Sequence, residues 1–148
     1  METLDTFLAA ASASLKHPQS RLRAQAILSR WATAWQGPTR TLEQTKSNHG
    51  TYLHFNQLIG TVWCHVFMFH AVTREGLFLR GPDTDRTRKS HKHRSNKLDS
   101  KGLNALFDAW SAHPEAHPAG NAVEFILEEV PDEVWEACLQ EALTCLKP

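Results

Sequence analysis

The densest run of chemically capable side chains is DRTRKSHKHRSNK, residues 85–97, where Arg86, Arg88, Lys89, Lys92, Arg94 and Lys97 stand with two histidines and nothing apolar. Six cations this close together can follow a phosphate backbone. If all six paired with phosphates, binding would weaken roughly a thousandfold between 50 and 200 mM salt, a log–log slope of about −5. No aromatic side chain is interleaved to stack on bases, and the spacing matches neither a helix-turn-helix nor a zinc finger. Any such contact is expected to grip phosphates without reading sequence. The competing reading is a solvated surface loop, which blocks of like charge commonly form.

His91 and His93 form His-x-His, which in an extended segment points both rings to one side. A third donor such as His65, His70 or an aspartate would complete a zinc set, since such sites need three or four donors. Two residues are not a site, and the surrounding positive charge repels a cation, so no metal is expected. Asp83 and Asp85 in GPDTD offer carboxylates to a divalent ion, but Gly-Pro-Asp is first of all turn chemistry.

His54, His65 and His70 fall on or beside segments that read as strands. If Trp63, His65, Phe67 and Phe69 share one face, His65 is a buried imidazole satisfied by a neighbour. Its ordinary pKa near neutrality would also suit general acid–base work. Cys64, Cys138 and Cys145 are odd in number and lack zinc or redox spacing, so they read as reduced thiols. Cys138 and Cys145 fall near an apolar helical stripe, where cysteine packs as a small hydrophobe. Cys64 and His65, adjacent on a strand, point to opposite faces, which argues against a dyad.

There is no Walker loop, Gly-x-Gly-x-x-Gly, His-Glu-x-x-His, Gly-x-Ser-x-Gly or Cys-x-x-Cys. Neither a catalytic residue nor a cofactor is expected on this basis. Catalysis ranks third among the readings, as metal-assisted hydrolysis by His65, His70, His91 and His93 with Asp83 or Asp85. Trp31 and Trp35, one turn apart and near Arg23 and Arg30, have the composition of an interface hot spot. Large aromatics at helical spacing are more often core.

The elements that must carry these residues begin with two amphipathic helices. Leu4, Phe7, Leu8, Ala11 and Leu15 mark the first, with Thr3 as N-cap and Pro18 as terminator; Ala24, Ile27, Leu28, Trp31 and Trp35 mark the second, from Ser20 to Gly37-Pro38. TLEQTK and TYLHF flank SNHG as a hairpin whose first strand is polar enough for an edge or a loop. TVWCHVFMFHAV, residues 61–72, is apolar on both alternating faces, as a strand covered on both sides should be. That cover would come from helices or from an oligomer.

TREG, with Gly76, turns the chain into LFLR, closed by Gly81-Pro82, and 82–101 follows as a long basic exposed loop. A helix around Leu103, Leu106, Phe107 and Trp110 ends before Pro114, PEAHPAG reads as a linker, and AVEFILEEV reads as a strand. Pro131, Asp132 and Glu133 open the last helix, whose stripe holds Val134, Trp135, Cys138, Leu139, Ala142, Leu143 and Leu146. The order implies a single α+β domain spanning 1–148. It has a mostly antiparallel sheet of about four strands, with two N-terminal helices, a helix after the basic loop and a C-terminal helix packed on it.

A chain of 148 residues can bury a core without staples. The net charge of zero hides a division, with +3 over residues 1–73, +5 over 74–101 and −8 over 102–148. No apolar run is long enough for a membrane helix, and Glu2 and Asp5 spoil a secretory signal, so a cytoplasmic location without membrane contact is expected. The first functional reading is a small nucleic-acid-associated module contacting phosphates through the basic loop, helped by Arg74 and Arg80. The second is a protein-binding adaptor, inhibitor or immunity-type module using the acidic C-terminal third or the Trp-bearing second helix. The oligomeric state is left open.

Overall fold

Two-residue turns at Asn48-His49 and Gly60-Thr61 fold the middle of the chain into a meander of β1 (Arg40–Ser47), β2 (Gly50–Ile59) and β3 (Val62–Val72). The computed structural model describes residues 2–15, 17–72, 75–82, 101–120 and 122–147. Gly50 is required at the first turn, because its φ is 135° and a Cβ there would lie 2.3 Å from the Ala71 carbonyl oxygen. β4 (Gly76–Gly81) returns alongside β3, with Val72 opposite Gly76.

Beyond the basic stretch come α3 (Lys101–Ser111), β5 (His117–Ala119), β6 (Ala122–Ile126), a 3₁₀ turn (Leu127–Glu129) and α4 (Asp132–Cys145). Before the sheet lie α1 (Glu2–Ser14) and α2 (Pro18–Ala34). All pairings are antiparallel, in the order β1-β2-β3-β4-β6-β5.

The α+β expectation holds, with six strands rather than about four. β1 is a fully paired edge, so its polar side chains are those an edge strand tolerates. β5 lies in the stretch read as a linker. It forms the other edge, where Pro118 interrupts nothing further out. Two helix starts also differ. Thr3 is inside α1 rather than capping it, and α2 begins at Pro18, not Ser20. Proline suits that first position because its missing N–H would have had no helical partner.

One aromatic hub organises the core. Trp31 of α2 meets Phe55, Phe67 and Phe69 edge-on at centroid distances of 6.1, 5.6 and 5.2 Å, and lies 6.2 Å from both Trp110 of α3 and Trp135 of α4. Trp35 packs on Phe55 and Phe67, and its Nε1 donates to the Asn56 carbonyl at 2.9 Å. Phe7, Ala11 and Leu15, from α1 and just beyond it, join the same cluster. The four helices among the described residues therefore cover one face of the sheet. Trp31 and Trp35 are core side chains, each 1% exposed, and the second helix cannot present them to a partner.

Arg23 and Arg30 tie α2 to the acidic C-terminal third. Arg23 donates to Asp132 at 2.7 Å and to the carbonyls of Leu127, at 2.9 Å, and Val130. Arg30 holds Glu136 through two bonds of 3.1 and 2.9 Å. Among the described residues no helix is long and apolar enough to cross a membrane.

Candidate functional site

Among the described residues, no helix lies on the second face of the sheet. Strand alternation sends Leu53, Phe55, Phe67, Phe69, Leu77, Leu79, Val123 and Phe125 into the core. Their neighbours Tyr52, His54, Met68, His70, Phe78, Arg80, Glu124 and Ile126 therefore point outward, and all are half-buried. Of the cover expected on both sides of β3, the described helices supply one side.

β3 does not keep one alternation along its length. Phe55 pairs with Phe67, but Asn56 pairs with His65, so Val66 is an extra residue. Below this bulge the faces exchange: Cys64 turns inward, 8% exposed, while Trp63 is 41% exposed and His65 lies outside. Trp63 and His65 therefore do not share a face with Phe67 and Phe69, and His65 is not a core imidazole. Cys64 and His65 stand on opposite sides, as adjacent strand residues should.

The pairing register collects rings that sequence order separates. His65 stacks on His54 (centroids 4.2 Å apart, planes at 30°), His54 faces Tyr52 (5.9 Å, 21°), and Tyr52 stacks on its cross-strand partner His70 (4.1 Å, 16°). Phe78 of β4 continues the row, 6.5 Å from His70. Hydrogen bonds orient the imidazoles. Thr45 Oγ1 lies 2.8 Å from His54 Nε2, His65 Nδ1 bonds Asn56 Oδ1, and His70 Nε2 donates to the His49 carbonyl at 3.2 Å.

Burial lowers the His54 pKa to about 4, assisted by repulsion from His65 and opposed by Glu43. Burial also lowers that of His70, against the hydrogen bond to the His49 carbonyl. Both rings are therefore neutral near pH 7.

Beside the bulge, His54, His65, Val66, Phe67, Met68, Arg80 and Gly81 line a hollow of about 170 Å³. That is below the roughly 300–1,000 Å³ of small-molecule sites. It has the size of one large side chain. Gly81 belongs here because its Cβ would fall 2.5 Å from Phe67 Cβ.

Of the residues singled out by sequence, His54, His65 and His70 come together on this face, although His65 and His70 lie at opposite ends of the row. Arg86, Arg88, Lys89, Lys92, Arg94, Lys97, His91, His93, Asp83, Asp85 and Arg74 lie outside the described residues. Cys64, Cys138 and Cys145 are free thiols, the first two buried. Tyr52, Met68 and Phe78 were not singled out. Their signal is the alternation of half-apolar positions in β2, β3 and β4, which points to a second, semi-apolar surface. A further polar cluster, His113 with Cys138 and Glu141, joins segments remote in sequence. Comparison of the chain with protein-family models, with curated proteins and with solved structures finds no match.

Proposed function

We propose that this protein is a binding module for another polypeptide, and that its contact surface is the face of the sheet opposite the four described helices. The observation that carries this is the side-chain content of that face: Tyr52, Trp63, Met68, Phe78 and Arg80 around neutral His54 and His70 and a side-chain-sized hollow. Aromatic residues, Met and Arg are the types enriched at the centres of protein interfaces, where one anchor side chain commonly fills a pocket. Six strands span about 24 Å, and β2 and β3 run for about 30 Å. The product is on the order of the ~800 Å² each partner contributes to a standard interface.

The test compares the wild-type chain with Met68→Glu, which puts a charge at the hollow without touching the core. Proteins retained by each are identified after affinity capture, and candidates are re-tested as purified pairs; light scattering reports self-association. A purified partner that binds the wild type and loses at least tenfold in affinity with a folded Met68→Glu supports the reading. A partner insensitive to Met68→Glu overturns this surface.

Phosphate contact through Arg86, Arg88, Lys89, Lys92, Arg94 and Lys97 is the second reading. It draws on Arg80, whose strand runs directly into the basic stretch and whose side chain edges the hollow. Fluorescence anisotropy with labelled DNA and RNA at low and moderate salt separates the two. Steeply salt-dependent binding, lost on changing Arg88, Lys89 and Arg94 to Ala and retained in Met68→Glu, favours phosphate contact.

A further inference from the structure

Away from the open face, the end of α3 is locked onto α4. Trp110 Nε1 donates to the Cys138 carbonyl at 3.1 Å, and the chain leaves α3 through a turn in which the His113 amide donates to the Trp110 carbonyl. This sets His113 against α4, where Cys138 and Glu141, three residues apart, share a face. His113 Nε2 comes within 2.8 Å of Glu141 Oε1, and one donor atom from each of His113, Cys138 and Glu141 lies within 4.8 Å of the others. Cys138 is fully buried, while the side chains of His113 and Glu141 are 19% and 30% exposed. An ion can therefore enter from solvent and still reach a buried sulfur.

The donor set is chemically selective. Imidazole, thiolate and carboxylate together are zinc ligands, whereas calcium and magnesium take oxygen donors. Metal–donor distances of 2.0–2.3 Å place tetrahedral donors roughly 3.3–3.6 Å apart, so closing the observed cluster needs only side-chain adjustment. Glu115, two residues after His113, adds an independent sign: one of its carboxylate oxygens is buried without a hydrogen-bond partner. Burial, and then the charges of Glu141 and Glu115, push the Cys138 thiol far above its ordinary range.

We propose that His113, Cys138 and Glu141 form a binding site for a zinc-class divalent ion, with Glu115 or water in the fourth position. The ion clips the turn between α3 and β5 to the middle of α4. This site is separate from the open sheet face and does not depend on what that face binds.

The full-length chain, stripped with a chelator, is titrated with cobalt(II) as a spectroscopic probe and then with zinc. One cobalt per chain with a thiolate-to-cobalt charge-transfer band, displaced by zinc, is expected. Cys138→Ala removes the band, Cys145→Ala keeps it, and His113→Ala or Glu141→Gln weakens binding by about tenfold or more. Zinc at a hundredfold excess over Kd raises the thermal midpoint by about 5–10 °C. If Cys138→Ala fails to fold by circular dichroism, the partly exposed His113 and Glu141 variants carry the test. The site is overturned by absence of the band in the wild type, by its survival in folded Cys138→Ala, or by wild-type affinity in both His113→Ala and Glu141→Gln. Cobalt held elsewhere by imidazoles, such as His91 and His93, lacks the thiolate band.

Discussion

Asn56 of β2 stands opposite His65 of β3 and bonds it side chain to side chain, although the preceding pair is Phe55 with Phe67. The skipped residue, Val66, turns the lower end of β3 over. Above it the large apolar side chains of β3 point to the helices. Below it Trp63 and His65 point away from them, and Cys64 takes the inward place. This single insertion adds Trp63 and His65 to the open face and leaves the hollow lined by Val66 and Met68.

Trp63 should be the accessible indole. Trp31, Trp35, Trp110 and Trp135 are at most 2% exposed, against 41% for Trp63. Acrylamide should quench a red-shifted minority of the emission, and Trp63→Phe should remove that fraction while leaving the rest unquenched. An unchanged quenchable fraction in Trp63→Phe would place β3 in a different register.

Trp31 should dominate stability. It touches three phenylalanines of the sheet and the tryptophans of two other helices. Trp31→Ala leaves a large void and is expected to cost about 3–5 kcal/mol in urea denaturation, a large part of an ordinary domain's total. Trp63→Ala should cost less than about 1 kcal/mol. Equal costs would contradict a single hub.

Acid should destabilise the protein through His54. Its folded pKa is about 4 and its unfolded value 6.5. Above pH 6.5 both states are neutral and the group contributes nothing to pH dependence. Between 6.5 and 4 the unfolded chain takes up a proton that the folded one resists, so stability falls with pH and levels off below 4. Glu43 of β1, the Thr45 hydroxyl, His65 of β3, Tyr52 and Arg80 across the hollow surround the ring, and His70, also lowered by burial, acts in the same direction. His54→Gln should lose less of its thermal midpoint than the wild type between pH 7 and 4. Parallel curves for the two would remove His54 as the cause.

Arg23 and Arg30 look alike in sequence but should differ under substitution. Arg23 satisfies two backbone carbonyls at the junction before α4 besides pairing with Asp132, so Arg23→Ala is expected to cost about 1–3 kcal/mol. Arg30 makes only an exposed pair with Glu136, which solvent screens. Arg30→Ala should shift the urea midpoint far less; the reverse order would mean that the junction carbonyls find other partners.

Local sequence determined a good deal of this molecule. The apolar stripes of α2, α3 and α4, the glycines at the turns and the β-branched, aromatic run of β3 are read within a few residues, because helix and strand periods are local properties of the chain. They sufficed for an antiparallel α+β domain, while the choice between core and interface for Trp31 and Trp35 was made by the packing of α2 on the sheet. The three histidines of the open face were visible as individuals too. Their assembly was not, because cross-strand register decides which rings meet, and one unpaired residue reverses every side chain beyond it. Nor could spacing reveal that β5 is a strand, since three residues gain an identity only from the edge they pair with. His113 and Glu141 come together on the same terms: the turn after α3 and the middle of α4 are brought into contact by the packing of Trp110 on the Cys138 carbonyl, a contact that exists only once the core has formed.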